Sequence, residues 1–194
     1  MKFRTYKSTD LTVSEIGFGL WTISTGWWGN FTEGEAVALM HKAFDLGVTL
    51  FDAADTYGNG LSEELIATAF PKQREQIVIA TKVGYDFVQY GKARGRGQRE
   101  IPQDFSPDAI ERATDAALKR LKTDRIDLLQ LHNVRMEQVD DDAVWKTLEK
   151  LKTSGSSIRL VRSLRGSVLS VVVLIVSAAR SPSAPDIFPC GRHS

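Results

Sequence analysis

Two patterns of apolar and polar residues alternate along this chain. Short apolar runs, which predict buried strands, occupy residues 16–19, 48–52, 77–83 and 127–132. Apolar residues at three- and four-residue spacing predict helices over 33–46, 62–70, 107–121 and 141–152. Alternating strands and helices predict an α/β fold in which helices cover a parallel sheet.

Local signals mark the ends of these elements. Thr32 and Glu35 have the spacing of a capping box, which predicts the start of the first helix, and Gly47 is placed to stop it. Before the first strand, residues 3–6 and 11–14 are separated by a polar turn. We expect them to form a short N-terminal β-hairpin.

The regular pattern stops near Gly155. No Lys or Glu follows Lys152, Asp186 is the only later acid, and Ser and Arg become frequent beside a valine run. We therefore divide the chain into a regular unit over residues 1–155 and an atypical C-terminal tail over 156–194. Two explanations of the tail stay open: a disordered extension, or a segment that does not continue the domain, as after a frameshift. We favour the second.

Composition excludes several classes of partner. With 25 basic and 24 acidic residues the net charge is +1, so we expect no nucleic-acid partner. The apolar stretch at 168–179 is shorter than the roughly 18 residues of a membrane-spanning helix, so we expect no membrane partner. The one cysteine, Cys190, excludes an internal disulfide and fits a reducing compartment.

Four side chains with acid–base chemistry lie at the ends of predicted strands. Asp52 ends the second strand, Tyr57 follows it by five residues, Lys82 lies near the end of the third, and His132 ends the fourth. The carboxyl ends of the strands of a parallel barrel meet at one face, where active sites are found. We therefore expect these four residues to form one site.

The residue types suit the reduction of a carbonyl group. A free phenol has a pKa of about 10. For Tyr57 to act as an acid near neutral pH, the nearby Lys82 ammonium would have to lower the pKa of the phenol. Asp52 would balance the lysine, and His132 would hydrogen-bond the substrate oxygen. Because none of these side chains can supply a hydride, the set implies a nicotinamide cofactor. Each residue alone could instead be structural, as a helix cap, a solvated charge, packing or a core histidine.

Several motifs resemble those of the aldo-keto reductases. They are IGFGLWT at residues 16–22, FDAADTYG at 51–58 followed by SEE at 62–64, ATK at 80–82 and LQLH at 129–132. The likeness extends over about residues 3–155. It implies a (β/α)8 TIM barrel closed at its base by an N-terminal hairpin, and NADPH-dependent reduction of an aldehyde, ketone or sugar carbonyl by a cytoplasmic enzyme.

The same resemblance implies roles for individual residues. Asp52, Tyr57, Lys82 and His132 match the catalytic tetrad, and Thr22 and Asp52 match cofactor-binding positions. The aromatic residues after the first strand match the substrate pocket: Trp21, Trp27 and Trp28. We assign no metal site.

The chain also departs from the family pattern. Only about the first half of the barrel is recognisable, so we expect a truncated member. The Ser-Asn pair and the basic loop with which the family holds NADPH have no counterpart that we can identify. A homodimer would cover the open sheet edges. The alternatives to a reductase are a non-catalytic, cofactor-sensing or regulatory binding module and an inactive fragment.

Overall fold

The structure, a computed structural model, describes residues 1–6, 9–86, 101–153, 161–162 and 173–176. The strands are β1 (Phe3–Thr5), β2 (Thr12–Ser14), β3 (Gly17–Gly19), β4 (Leu50–Asp52), β5 (Val78–Val83), β6 (Leu128–Leu131), β7 (Val161–Arg162) and β8 (Val173–Val176). The helices are α1 (Trp21–Thr25), α2 (Glu33–Asp45), α3 (Leu61–Ala69), α4 (Pro107–Leu121), α5 (Met136–Val139) and α6 (Asp142–Thr153), with a 3-10 turn at Arg74–Gln76.

The four predicted strands and four predicted helices are all present, and their bounds agree with the sequence pattern to within two residues. The pattern missed α1, α5 and the 3-10 turn. These elements have three to five residues each, too few for a helical period to be visible.

Local chemistry explains where α2 begins and ends. The Thr32 hydroxyl accepts from the Glu35 amide at 3.2 Å, and the Glu35 carboxylate accepts from the Thr32 amide at 2.8 Å, which confirms the capping box. The backbone hydrogen bond from Thr32 lowers the pKa of the exposed Glu35 carboxyl. At the other end, Gly47 adopts a φ of +89°, a conformation that favours glycine and ends the helix.

Strands β3, β4, β5 and β6 lie side by side in that order and run parallel, as predicted. Their register places Asp52 opposite Ala80 and Lys82 opposite Gln130. Strands β1 and β2 pair antiparallel as a separate sheet, which confirms the N-terminal hairpin.

The sheet has two differently covered faces. Ile79 and Leu129 point to the helix face, where they join a large buried cluster with the helices; other members are Phe51, Leu65, Ile66, Ile110 and Leu148. Their neighbours Ala80 and Leu128 point to the opposite side, because successive side chains alternate along a strand. There they pack against Tyr6, Leu11 and Leu50, so we call this side the hairpin face.

The predicted tail is described only at β7 and β8. Strand β8 pairs antiparallel with β6, and β7 pairs antiparallel with β8, so the sheet order becomes β3-β4-β5-β6-β8-β7. The rest of 156–194, including Cys190, lies outside the described residues. Across the described ranges, none of the helices has both the length and the apolar character needed to cross a membrane.

Candidate active site

Backbone hydrogen bonds bring the ends of β4, β5 and β6 to one edge of the sheet. The Ala53 amide donates to the Ala80 carbonyl at 2.8 Å, and the His132 amide donates to the Val83 carbonyl at 2.8 Å. The residues that directly follow β4 and β6 are thereby tied to β5. We call this edge the mouth and the edge at the strand N-termini the base.

Lys82 and Asp52 form an ion pair at the mouth. The ammonium of Lys82 donates to both carboxylate oxygens of Asp52, at 2.9 and 2.8 Å, and to the Ala53 carbonyl at 2.8 Å. These three bonds use the three N–H groups of the ammonium and fix its position. The Lys82 side chain is 13% exposed and that of Asp52 is 37% exposed, so the carboxylate is the more open partner.

Tyr57 packs against this ion pair. The Lys82 nitrogen lies 4.7 Å from the centre of the Tyr57 ring, within the range of a cation–π contact. The ammonium therefore lies over the ring while its hydrogen bonds go to Asp52 and Ala53.

His132 is packed between two tyrosines. Its ring centre is 5.8 Å from that of Tyr57 and 4.9 Å from that of Tyr85, and both contacts are edge-to-face. The side chain of Asn133 donates to the Tyr85 hydroxyl at 2.8 Å, and the side-chain amide of Gln103 donates to the His132 backbone carbonyl at 3.0 Å. The structure thus brings together the four residues predicted from the strand ends.

The turn between Asp52 and Tyr57 is held from the start of α3. The Ser62 hydroxyl donates to the Ala54 carbonyl at 2.9 Å, and the Ser62 amide donates to the Tyr57 carbonyl at 3.2 Å. Gly58 has a φ of +64°, and a Cβ atom there would lie 2.3 Å from the Ser24 carbonyl oxygen of α1. Two helices therefore determine where Tyr57 lies.

Behind the turn, two acidic side chains are buried. Glu63, with 0% exposure, accepts from the Thr81 hydroxyl at 2.6 Å and from Arg120 at 2.5 Å. Asp55 is 1% exposed, and neither of its oxygens has a hydrogen-bond partner in the part of the chain that the structure describes. Burial raises the pKa of both carboxyls, that of Asp55 well above its usual range.

The predicted pocket residues are placed around α1. Trp21 stacks on Trp27 with ring centres 6.2 Å apart and meets Trp28 edge-on at 6.4 Å. All three indoles are partly exposed, Trp28 the most at 70%. Trp21 and Thr22 lie in α1, the short helix that the sequence pattern missed, and Thr22 is exposed. Because Ser24 of the same helix approaches Gly58, this aromatic group lies beside the turn that carries Tyr57.

Sequence reasoning missed several residues that shape the mouth. Tyr85, Gln103 and Asn133 lie in irregular segments, and no periodicity marks them. Ser62 and Glu63 carried a signal, because they follow the turn within a recognisable motif, but their contacts with Ala54 and Thr81 depend on how α3 packs. Asp55 was visible in the same motif, but its burial was not.

Comparison with known proteins identifies the lineage of this arrangement. The family model of the Aldo/keto reductase family matches residues 15–161. The chain is 32% identical over 155 residues to the uncharacterized oxidoreductase YqkF of Bacillus subtilis, covering 80% of this chain and 46% of that protein. It is 32% identical over 194 residues to the aldo-keto reductase yakc [NADP(+)] of Schizosaccharomyces pombe, covering 96% of this chain and 55% of that protein.

A solved structure agrees with the fold. The holo form of an aldo-keto reductase from Bacillus halodurans superposes with a TM-score of 0.68 at 34% identity, covering 80% of this chain and 48% of that one. The chain thus spans about half the length of the relatives it matches. Its parallel sheet and helices are a partial (β/α)8 barrel, as the motifs had predicted.

Proposed function

Because the chain belongs to the Aldo/keto reductase family, we propose that its mouth is a site for NADPH-dependent reduction of an aldehyde, ketone or sugar carbonyl. One observation carries this proposal: the contacts from Asp52 to Lys82, from Lys82 to Tyr57 and from Tyr57 to His132 form an unbroken series. An acid, a cation that stabilises its conjugate base and a hydrogen-bonding imidazole are the groups that carbonyl reduction requires.

The proposed roles follow from this geometry. Tyr57 gives its proton to the carbonyl oxygen, and Lys82 stabilises the phenolate that remains. Asp52 holds the lysine in place through its two hydrogen bonds. His132, which is packed against the Tyr57 ring, orients the substrate by donating to the same oxygen. Trp21, Trp27 and Trp28 would form an apolar wall for the rest of the substrate.

The residues at the mouth fit a nicotinamide cofactor. The Asp52 carboxylate is 37% exposed, and Thr22 is exposed on the neighbouring α1, so both are accessible to a ligand. When bound, NADPH supplies the hydride that reaches the carbonyl carbon. None of the four residues can provide that hydride, which is why the proposal includes the cofactor.

We further propose that two copies of the chain pair to cover exposed sheet edges, and that the protein is cytoplasmic. In the described sheet β3 is an end strand, paired on one side with β4. An open strand edge favours pairing with another chain. Sedimentation equilibrium tests the pairing, because a monomer at all concentrations would contradict it. The location rests on the family and the one cysteine, and cell fractionation tests it.

Cofactor binding is tested by titrating the whole chain with NADPH while tryptophan emission is measured. We expect saturable quenching, since three indoles lie beside the Tyr57 turn. NADH at equal concentrations tests the preference for the phosphorylated cofactor. The proposal is abandoned if neither nucleotide quenches the emission.

Catalysis is tested by comparing Tyr57→Phe and Lys82→Met with Lys146→Met, a matched change at an exposed position of α6. We expect both mouth variants to lose at least about 100-fold in kcat with an aldehyde substrate, because general acid catalysis typically contributes that much. The Lys146 variant should keep the wild-type rate. Equal rates for Tyr57→Phe and wild type would exclude Tyr57 as the acid.

A further inference from the structure

Of the two buried carboxyl groups behind the Tyr57 turn, only that of Glu63 has hydrogen-bond partners among the described residues. Glu63 accepts from the Thr81 hydroxyl and from the Arg120 guanidinium. Asp55 is equally buried, yet neither oxygen has a hydrogen-bond partner among the described residues. The Thr56 amide acts on the carboxyl without meeting hydrogen-bond geometry. An ionised carboxylate in such surroundings costs several kcal/mol, and groups in this position usually neutralise instead.

Asp55 also borders a small cavity. Its volume is about 30 Å³, enough to hold ordered water, and it is partly open to the surface. Tyr85, Arg112 and Arg120 line the same cavity. Asp55 itself is only 1% exposed, so little of its carboxyl is hydrated through this space.

The charges around Asp55 come from each element that packs against it. Glu63 faces it from α3, Arg112 and Arg120 from α4, Lys82 from β5, and Tyr85 and Asp86 from the residues after β5. Burial is the largest influence and raises the pKa of the Asp55 carboxyl, and the Glu63 charge raises it further. Arg120, the Thr56 amide and Lys82 oppose this without cancelling it.

Asp55 and the Asp52–Lys82 pair lie on opposite sides of the same strand end. Thr81, which donates to Glu63, and Lys82, which donates to Asp52, are consecutive residues of β5, so their side chains point to opposite faces. The Lys82 charge nevertheless acts on Asp55. A charge on Asp55 would therefore act on Lys82 in return.

We propose that Asp55 keeps its proton at neutral pH, which leaves Asp52 as the carboxylate that Lys82 neutralises. If Asp55 were ionised, a second negative charge would offset the ammonium and weaken its stabilisation of the Tyr57 phenolate. The statement about Tyr57 rests on the proposed function. The statement about the proton does not.

The protonation state of Asp55 is tested by carbon-13 NMR of the whole chain labelled at aspartate carboxyls. The Asp55 signal is identified by through-bond correlation to its backbone and by its loss in Asp55→Asn. Asp115 on α4 is the matched control, because it is exposed and its signal disappears in Asp115→Asn. We expect Asp55 to show the carboxyl shift of a neutral acid at pH 7 and to differ there from the exposed Asp115. The shift of an ionised carboxylate for Asp55 at pH 7 would overturn the proposal.

The consequence for Tyr57 is tested by the pH dependence of kcat. Asn has the shape of a neutral aspartic acid, so the basic limb of the Asp55→Asn profile should coincide with that of wild type. A limb displaced to lower pH in the variant would mean that wild-type Asp55 is charged, and would overturn the proposal. The NMR result needs no turnover, so failure there is distinguishable from failure of the proposed reductase activity.

Discussion

The mouth and the base of the sheet each contain a cluster of charged side chains, but the two clusters are completed differently. At the base, Asp127 accepts from Arg74 at 2.7 Å and from the Ile79 amide at 2.8 Å, and it lies 3.6 Å from Arg125. Arg125 in turn pairs with Glu75. Two carboxylates thus meet two guanidinium groups, and each has at least one direct partner.

At the mouth the carboxyl groups are not all paired. Asp52 pairs with Lys82, and Glu63 pairs with Arg120, while Asp55 lies buried beside them without a hydrogen-bond partner among the described residues. Tyr57 and His132 add two further groups that can exchange protons. Among the described residues, the same strands therefore carry a fully paired cluster at one end and an incompletely paired one at the other.

We attribute different roles to the two clusters: the base cluster stabilises the fold, and the mouth cluster contains the side chains suited to chemistry. A buried ion pair is costly to break once formed, so the base cluster holds the strands in register. Proteins violate the rule of complete pairing mainly at functional sites, and Asp55, a buried carboxyl without a hydrogen-bond partner among the described residues, lies at the mouth. In barrels of this architecture the active site lies at the carboxyl ends of the strands.

The largest expected effect is at the base. Arg74→Met removes the closest cation of Asp127, whose side chain is 12% exposed, and leaves a buried carboxylate poorly compensated. We expect a loss of about 3–5 kcal/mol in the free energy of unfolding, measured by urea denaturation. Arg4→Met is the matched control, because Arg4 is 71% exposed in its pair with Glu15. Similar losses for the two variants would contradict a stabilising base cluster.

The next effect is at the turn that carries Tyr57. Gly58→Ala places a Cβ atom 2.3 Å from the Ser24 carbonyl at a φ of +64°. We expect a loss of about 1–3 kcal/mol in stability by urea denaturation, because alanine is strained in that conformation.

The control is Gly34→Ala in α2, where a Cβ atom meets nothing within 4 Å. This change should be neutral or slightly stabilising, because alanine is the better helix former. If both glycine variants behave alike, close packing of α1 on the turn is not what positions Tyr57.

A smaller effect concerns pH. Because the folded-state pKa values of Asp55 and Glu63 are raised, the folded chain binds more protons than the unfolded chain above about pH 4. Their contribution to stability is therefore complete below the unfolded pKa values and is lost as pH rises through the folded ones. We expect the free energy of unfolding to fall less steeply with pH in Asp55→Asn than in Asp115→Asn. Parallel curves would contradict the burial of a neutral Asp55.

The smallest effect on stability is expected on the helices, away from both the mouth and the base of the sheet. Lys150 on α6 donates to Glu111 on α4 at 2.8 Å, but the two side chains are 65% and 34% exposed. Lys150→Met should change stability by about 0–1 kcal/mol, because water screens such a pair. A loss as large as that of Arg74→Met in the same urea assay would mean that burial does not determine how much an ion pair contributes to the stability of this protein.

Much of the fold could be predicted because the longer helices and the strands of the sheet's parallel part carry local signals. The period of α4, the capping box of α2 and the apolar run of β5 are each readable from fewer than twenty residues. The four tetrad positions were predictable for a related reason: each lies at or just past a strand end, and a parallel sheet brings such ends together. The contacts of Tyr85 with His132, and of Glu63 with Thr81, could not be predicted in this way.

The amino-acid order alone determined the alternation of strands and helices, the N-terminal hairpin and the gathering of Asp52, Tyr57, Lys82 and His132 at the mouth, because periodicity and strand ends are local properties. Only the tertiary structure decided that the Lys82 ammonium lies over the Tyr57 ring and that Asp55 is buried without a hydrogen-bond partner among the described residues. Burial and electrostatic environment depend on which distant helices pack around a side chain, and no local pattern records that.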